Sequence, residues 1–223
     1  MIKAEQKSIE KILEYLAPYG RILLAGCGAC VTVCQAGGEK EAALLASALR
    51  MARQKTGQPL EIIEAVPARQ CEPEFALELA DPIGKVEAVL SVSCGVGVQT
   101  LARHFPATMI FPGVNTKFLG ETVAHGVWEE RCQACGDCLL EKTAGICPIA
   151  RCAKQLLNGP CGGSSQGKCE IKQETDCAWQ LIYDRSKSLG RLHRLTEMIP
   201  AKKWGVQSRD SGPRRIVRED LKV

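Results

Sequence analysis

The chain has 223 residues, 45% of them hydrophobic and 24% charged, with 13 cysteines and a net charge of +4. That is enough apolar material for one large or two small domains. An odd number of cysteines excludes a complete set of intrachain disulfides, and no apolar run approaches the roughly 18 residues of a membrane span. The whole net charge falls in residues 200–223, which carry seven Lys/Arg and three acids. The balanced remainder argues against a nucleic-acid-binding body.

In chain order, Ile9, Ile12, Leu13 and Leu16 recur at helical spacing, so Met1–Gly20 reads as an amphipathic helix and not as a secretion signal. A reducing cytoplasm is therefore expected, where clustered thiols bind metal or do redox work. From Arg21 to about Gly113, short aliphatic runs alternate with helical stretches. Ile22–Ala25, Leu60–Val66, Val86–Val92 and Ala107–Phe111 read as buried strands, and Gly38–Lys55, Glu72–Ala80 and Val96–His104 as the helices between them. The fold class expected is α/β: a parallel-sheet domain over 1–127, a cysteine-rich, loop-dominated domain over 128–199 ending in a helix over Trp179–Leu192, and a basic tail over 200–223.

Five cysteines belong to the first domain. Cys27, Cys30 and Cys34 follow the first strand, Cys71 the second and Cys94 the third, so they converge on the C-terminal strand ends, where sites of parallel sheets lie. This set fits an iron–sulfur cluster or zinc, with Cys34 or Cys71 as the member most readily spared for packing. The remaining cysteines, 132, 135, 138, 147, 152, 161, 169 and 177, lie among glycines with little hydrophobic periodicity. Such a segment needs metal bonds to order it.

Cys132-Gln-Ala-Cys135-Gly-Asp-Cys138, followed by Cys147-Pro148, has three overlapping thiols on a loop that Gly136 lets curl. This is the bacterial ferredoxin arrangement with a longer last gap, and it points to a [4Fe–4S] cluster in preference to zinc. Cys152, Cys161, Cys169 and Cys177 supply the ligand count of a second site, for which a second [4Fe–4S] cluster is expected in preference to zinc, although the spacings alone fit either. Which of Cys147 and Cys152 serves which site stays open, because ligands cross over in two-cluster ferredoxins.

Other chemistries find no support. Gly26-Cys-Gly28-Ala-Cys-Val31 has Val at the third glycine position of a dinucleotide fingerprint, and no P-loop or haem attachment motif is present. His104, His125 and His193 stand without a neighbouring nucleophile or acid motif. The tail has Pro200, Gly205, Gly212 and Pro213 to break regular structure, with Trp204, Val206, Ile216, Val217, Leu221 and Val223 as its apolar residues. It reads as an arm for docking a partner, mobile in isolation, or as a solvated terminus.

Gly26–Lys40, the triplet, Cys147-Pro148, Asn158-Gly-Pro-Cys-Gly-Gly163, Gly167-Lys-Cys-Glu170 and Cys177-Ala-Trp-Gln-Leu-Ile-Tyr183 together resemble the small iron–sulfur subunit of bacterial methylenetetrahydrofolate reductases, best known from acetogens. The resemblance covers about residues 20–195 and is most specific in its second half. It implies an oxidoreductase subunit of one-carbon metabolism, in acetogenesis by the Wood–Ljungdahl pathway. The flavin, FMN or FAD, would sit on a separate catalytic partner, with ferredoxin or another redox complex as donor. The chain would relay single electrons to that flavin and have no catalytic residues of its own. A structural zinc module of the same kind of complex, and an independent metalloenzyme with an open site at Cys94, are the competing classes.

Overall fold

The structure, a computed structural model, describes residues 1–204 and 213–221. The chain divides into two compact units, Met1–Phe118 and Leu119–Val223. The division falls ahead of the composition change at Trp128. Of the tail, Gly205, Val206, Arg209, Asp210, Gly212, Lys222 and Val223 lie outside the described residues.

The first unit runs β1 (Ile2–Gln6), α1 (Ile9–Leu16), β2 (Arg21–Ala25), α2 (Cys30–Val33), α3 (Glu39–Lys55), β3 (Glu61–Ala65), α4 (Pro73–Leu77), α5 (Ala80–Ile83), β4 (Ala88–Ser91), α6 (Gly95–His104) and β5 (Met109–Pro112), then enters β6 (Val114–Ala124). The second unit continues with β7 (Val127–Cys132), α7 (Pro148–Arg151) and α8 (Ala178–Ser188), followed by 3-10 turns at Leu192–Thr196 and Glu219–Leu221.

The aliphatic runs form a four-stranded parallel sheet in the order β3-β2-β4-β5, so the architecture is mixed α/β. Ile22, Leu23, Leu24, Ala25, Ala88, Val89 and Leu90 are all fully buried, as expected of central parallel strands covered on both faces. On one face Leu23, Ala25, Val89 and Ile110 pack with Ala76 of α4, Leu79, Ile83 of α5 and Leu101 of α6. On the other side α3 packs on β2 and β3 and also meets α1. Arg53 of α3 is buried, and its guanidinium donates to the carbonyls of Leu16 (2.9 Å), Tyr19 (3.1 Å) and Gln58 (2.8 Å). It thereby satisfies carbonyls that the end of α1 leaves without a helical partner.

Three expectations are corrected. Met1–Gly20 is a strand and a shorter helix. Ser8 caps α1 by accepting from Lys11 N–H at 3.3 Å, and Ile2–Gln6 lies in an antiparallel-containing sheet of order β1-β6-β7. The helix expected over Glu72–Ala80 is broken into α4 and α5, because Pro82 cannot continue a helix from Glu78 but fits the first turn of a new one. The last helix ends at Ser188 and not at Leu192, since Gly190 takes a left-handed φ of 66°.

In the second unit, Cys177, Trp179 and Ile182 make a small core, with Ile146, Cys152, Leu156 and Leu195 packed against it. Among the described residues no helix is long and apolar enough to cross a membrane.

Candidate metal centres

All thirteen cysteines are free thiols. Five of them stand in the first unit, and the chain there turns tightly. Gly37 lies against the end of β4 so closely that a Cβ would come within 1.8 Å of the Val92 carbonyl oxygen. Gly37 accepts the N–H of Cys27 at 2.9 Å, and Thr32 donates its hydroxyl to the Cys27 carbonyl at 2.7 Å. Cys27 is buried directly beyond β2, while Cys30 opens α2 half-buried. Cys94 is the N-cap residue of α6, beyond β4, and the next N–H, of Gly95, donates to Thr116 Oγ1 at 2.9 Å.

Cys71 is exposed on the loop after β3. Partial burial pushes its thiol pKa up, and the Cys94 and Cys27 thiolates push it further the same way. These three sulfurs therefore share one electrostatic neighbourhood at the C-terminal strand ends. Cys34 is directed elsewhere: it is 2% exposed, its sulfur accepts from Ala4 N–H of β1 at 3.4 Å, and its S–H faces the Ala4 and Val31 carbonyls at 3.7 and 3.8 Å. Cys34 packs α2 on β1 as a small hydrophobe does.

Beneath this rim lies a polar device that pattern reading missed. Gln70 is fully buried, and its amide donates to the carbonyls of Ala25 (2.9 Å) and Gly26 (2.5 Å). Its oxygen accepts from the hydroxyls of Ser91 (2.6 Å) and Ser93 (2.8 Å). In sequence Cys71 follows Gln70, Cys27 follows Gly26 and Cys94 follows Ser93, so one carboxamide fixes the backbone beside three thiols. Two serines alternating at the end of an aliphatic run, Ser91-Val-Ser93, were the available signal.

In the second unit the triplet occupies the loop that leaves β7. Cys132 and Cys138 are exposed and Cys135 is half-buried. The turn uses left-handed φ angles at Ala134 (50°) and Gly136 (93°), and Ala134 N–H donates to Cys132 Sγ at 3.3 Å. Cys147 caps α7, its sulfur accepting from Ala150 N–H at 3.4 Å.

The remaining four thiols come together. Cys152, Cys161, Cys169 and Cys177 all line one small, partly open cavity, whose other walls include Leu156, Ala178, Trp179 and Glu170. Cys152, which spacing alone left unassigned, thus joins this quartet, whereas Cys147 is not among its walls. Trp179 Nε1 donates to the Leu156 carbonyl at 3.1 Å, which fixes the indole as a wall. Glu170 Oε1 lies 3.5 Å from Cys161 Sγ and is ion-paired with Lys154. The Lys154 ammonium beside Glu170 holds its carboxyl below the ordinary range, and Glu170 in turn raises the lysine.

The tail reaches the triplet loop. Lys202 Nζ donates to the Asp137 carbonyl, and Arg214 donates to the Ala134 carbonyl at 3.0 Å. Lys154, Glu170 and Lys202 were legible only as surface charges.

Among the described residues, no group of three or more His, Cys, Asp or Glu side chains closes tightly enough to hold a single metal ion. The thiols that share a neighbourhood are spaced around a cavity or along a rim. Thiolate sulfur nonetheless suits iron–sulfur clusters and zinc above other groups, so the donor chemistry fits.

Residues 111–205 match the family model described as methylene-tetrahydrofolate reductase C terminal. The matched segment contains all eight cysteines of the second unit. No curated protein matches the chain, and no solved structure does.

Proposed function

We propose that this chain is the iron–sulfur, electron-transferring subunit of a methylenetetrahydrofolate reductase of the acetogen type, working in a reducing cytoplasm. The observation that carries the reading is the quartet Cys152, Cys161, Cys169 and Cys177 around one cavity, inside a segment that matches a family named for that reductase. Four thiols around one cavity supply the ligand count of a [4Fe–4S] cluster.

Clusters held there and at the triplet with Cys147 would supply one-electron storage. The chain's own residues do the rest. Trp179, Leu156 and Ala178 form apolar walls that keep water from one face of the quartet. The triplet, with two of its thiols exposed, faces outward, as a site that exchanges electrons with a partner must. The rim thiols Cys27, Cys71 and Cys94 form a third metal site, open to iron–sulfur or zinc. Reduction of methylene-tetrahydrofolate to methyl-tetrahydrofolate would occur on a flavin-bearing partner subunit, with ferredoxin or another redox complex as donor.

Iron, zinc and acid-labile sulfide are to be measured on chain purified without oxygen. About eight irons with matching sulfide in the second unit are expected. The chain alone should not reduce methylene-tetrahydrofolate with a reduced viologen, and should do so once the flavoprotein is added. A colourless chain with zinc and no iron establishes instead a structural zinc module. Turnover by the flavin-free chain alone refutes the relay.

A further inference from the structure

Lys202 is 8% exposed, yet among the described residues no carboxylate pairs with it. Its ammonium donates to the Asp137 carbonyl and stands 5.9 Å from the centroid of the Trp204 ring. Both partners are neutral, and a buried cation with only neutral partners is an unbalanced charge.

The placement is fixed by the fold. Asn158 and Ile199 exchange two hydrogen bonds, side-chain amide to carbonyl and N–H to side-chain oxygen, each 2.8 Å, with Ile199 itself buried. That pins the chain three residues before Lys202. The Asp137 carbonyl belongs to the peptide between Cys135 and Cys138, so the ammonium is joined to the backbone between two thiols of the triplet. Arg214 brings a second cation to the same loop through the Ala134 carbonyl, one residue before Cys135. The Asp137 carboxylate is exposed, where water and salt screen it.

The cavity quartet is treated differently. Its neighbouring cation, Lys154, is already neutralised by Glu170. The triplet loop therefore has beside it a buried ammonium that no carboxylate among the described residues pairs, and the quartet a balanced ion pair.

We propose that Lys202 is a positioning and tuning residue of the triplet. The anion that balances it is the thiolate-ligated group held by Cys132, Cys135 and Cys138 with Cys147. Its desolvated charge favours the more reduced, more negative form of that group and so sets its potential above that of the group in the cavity. A single electron from a low-potential one-electron donor then passes downhill from the cavity set, which is oxidised, to the triplet set, which is reduced. No bond is made and no proton is needed. This inference rests on the iron–sulfur reading above and adds to it an order of passage.

The test is a redox titration of the intact, anaerobically purified chain, followed by electron paramagnetic resonance with iron counted in each sample. Two well-separated midpoints are expected from the two thiol sets of the second unit. Lys202→Gln should lower the higher midpoint and leave the lower one in place. Lys202→Arg should keep both near wild type, and Arg214→Gln should lower the higher one by less. Unmoved midpoints at full iron content, or a fall in the lower midpoint alone, overturn this inference and leave the iron–sulfur reading standing. A wild-type chain without iron or sulfide overturns both. Should Lys202→Gln shed iron, Arg214→Gln decides: a lowered upper midpoint supports the proposal and an unmoved one rejects it.

Discussion

Gly159 lies flat against Trp179: a Cβ on Gly159 would stand 2.4 Å from the indole Cδ1 and 2.5 Å from Nε1. No side chain fits there while the indole keeps its bond to the Leu156 carbonyl. Gly159→Ala is expected to displace Trp179 and destabilise the second unit by about 1–3 kcal/mol, the usual cost of overpacking a tight contact. The denaturation midpoint read by tryptophan fluorescence checks this. An unchanged midpoint would show that the indole wall is not fixed.

Gln70 serves two carbonyls and two hydroxyls with one buried carboxamide. Gln70→Leu strands those groups, each at about 1–3 kcal/mol if no water replaces the bond. Gln70→Glu is expected to be worse at neutral pH, because it aims a carboxylate oxygen at the Ala25 and Gly26 carbonyls. Thermal unfolding of the two variants should rank them wild type, then Leu, then Glu.

Arg53 holds three carbonyls across α1 and α3, so Arg53→Met should cost on the order of 3 kcal/mol. Lysine cannot reproduce a fork that reaches three acceptors, and Arg53→Lys should recover only part of the loss. Chemical denaturation of the first unit measures both.

Glu170 has a carboxyl depressed first by Lys154 and then by the hydrogen bond to Cys161. A group whose folded pKa lies below its ordinary value contributes stability above that ordinary value, and the contribution is lost as pH falls through the folded value. The 154–170 link is therefore intact at neutral pH and released in acid. Both side chains are solvent-accessible, so the effect on global stability is small. Lys154→Met should move the Glu170 titration back up toward the ordinary range, as followed by carboxyl NMR on the metal-free chain.

The parallel sheet was legible because its central strands β2 and β4 are short aliphatic runs buried on both faces, with Ile62–Ile63 and Ile110–Phe111 marking the edge strands β3 and β5. The hairpin of β6 and β7 was not. Asn115, Thr116 and Lys117 are exposed, Gly120 interrupts the strand, and the register shifts near Leu119 and again near Thr122, so no alternation survives to be read. β1 was absorbed into the helix that follows it, although Ser8 marks a cap at the join. At the sites, thiols announce themselves by type and spacing. What steers them does not: Gln70 and Lys202 matter through burial, which a single residue letter does not carry. The fate of Cys34 likewise depended on β1, which the helical reading had hidden.

The carboxamide under Cys27, Cys71 and Cys94 has a calorimetric consequence. Because Gln70 ties the backbone of Ala25 and Gly26 to Ser91 and Ser93, the parts of the rim that carry these thiols are already ordered by the sheet. A metal arriving there has little chain left to organise, so its binding heat should change only slightly with temperature, with proton release dominating the signal. The second unit, whose buried cluster of Cys177, Trp179 and Ile182 is small, should instead show a large negative heat-capacity change when metal is added back.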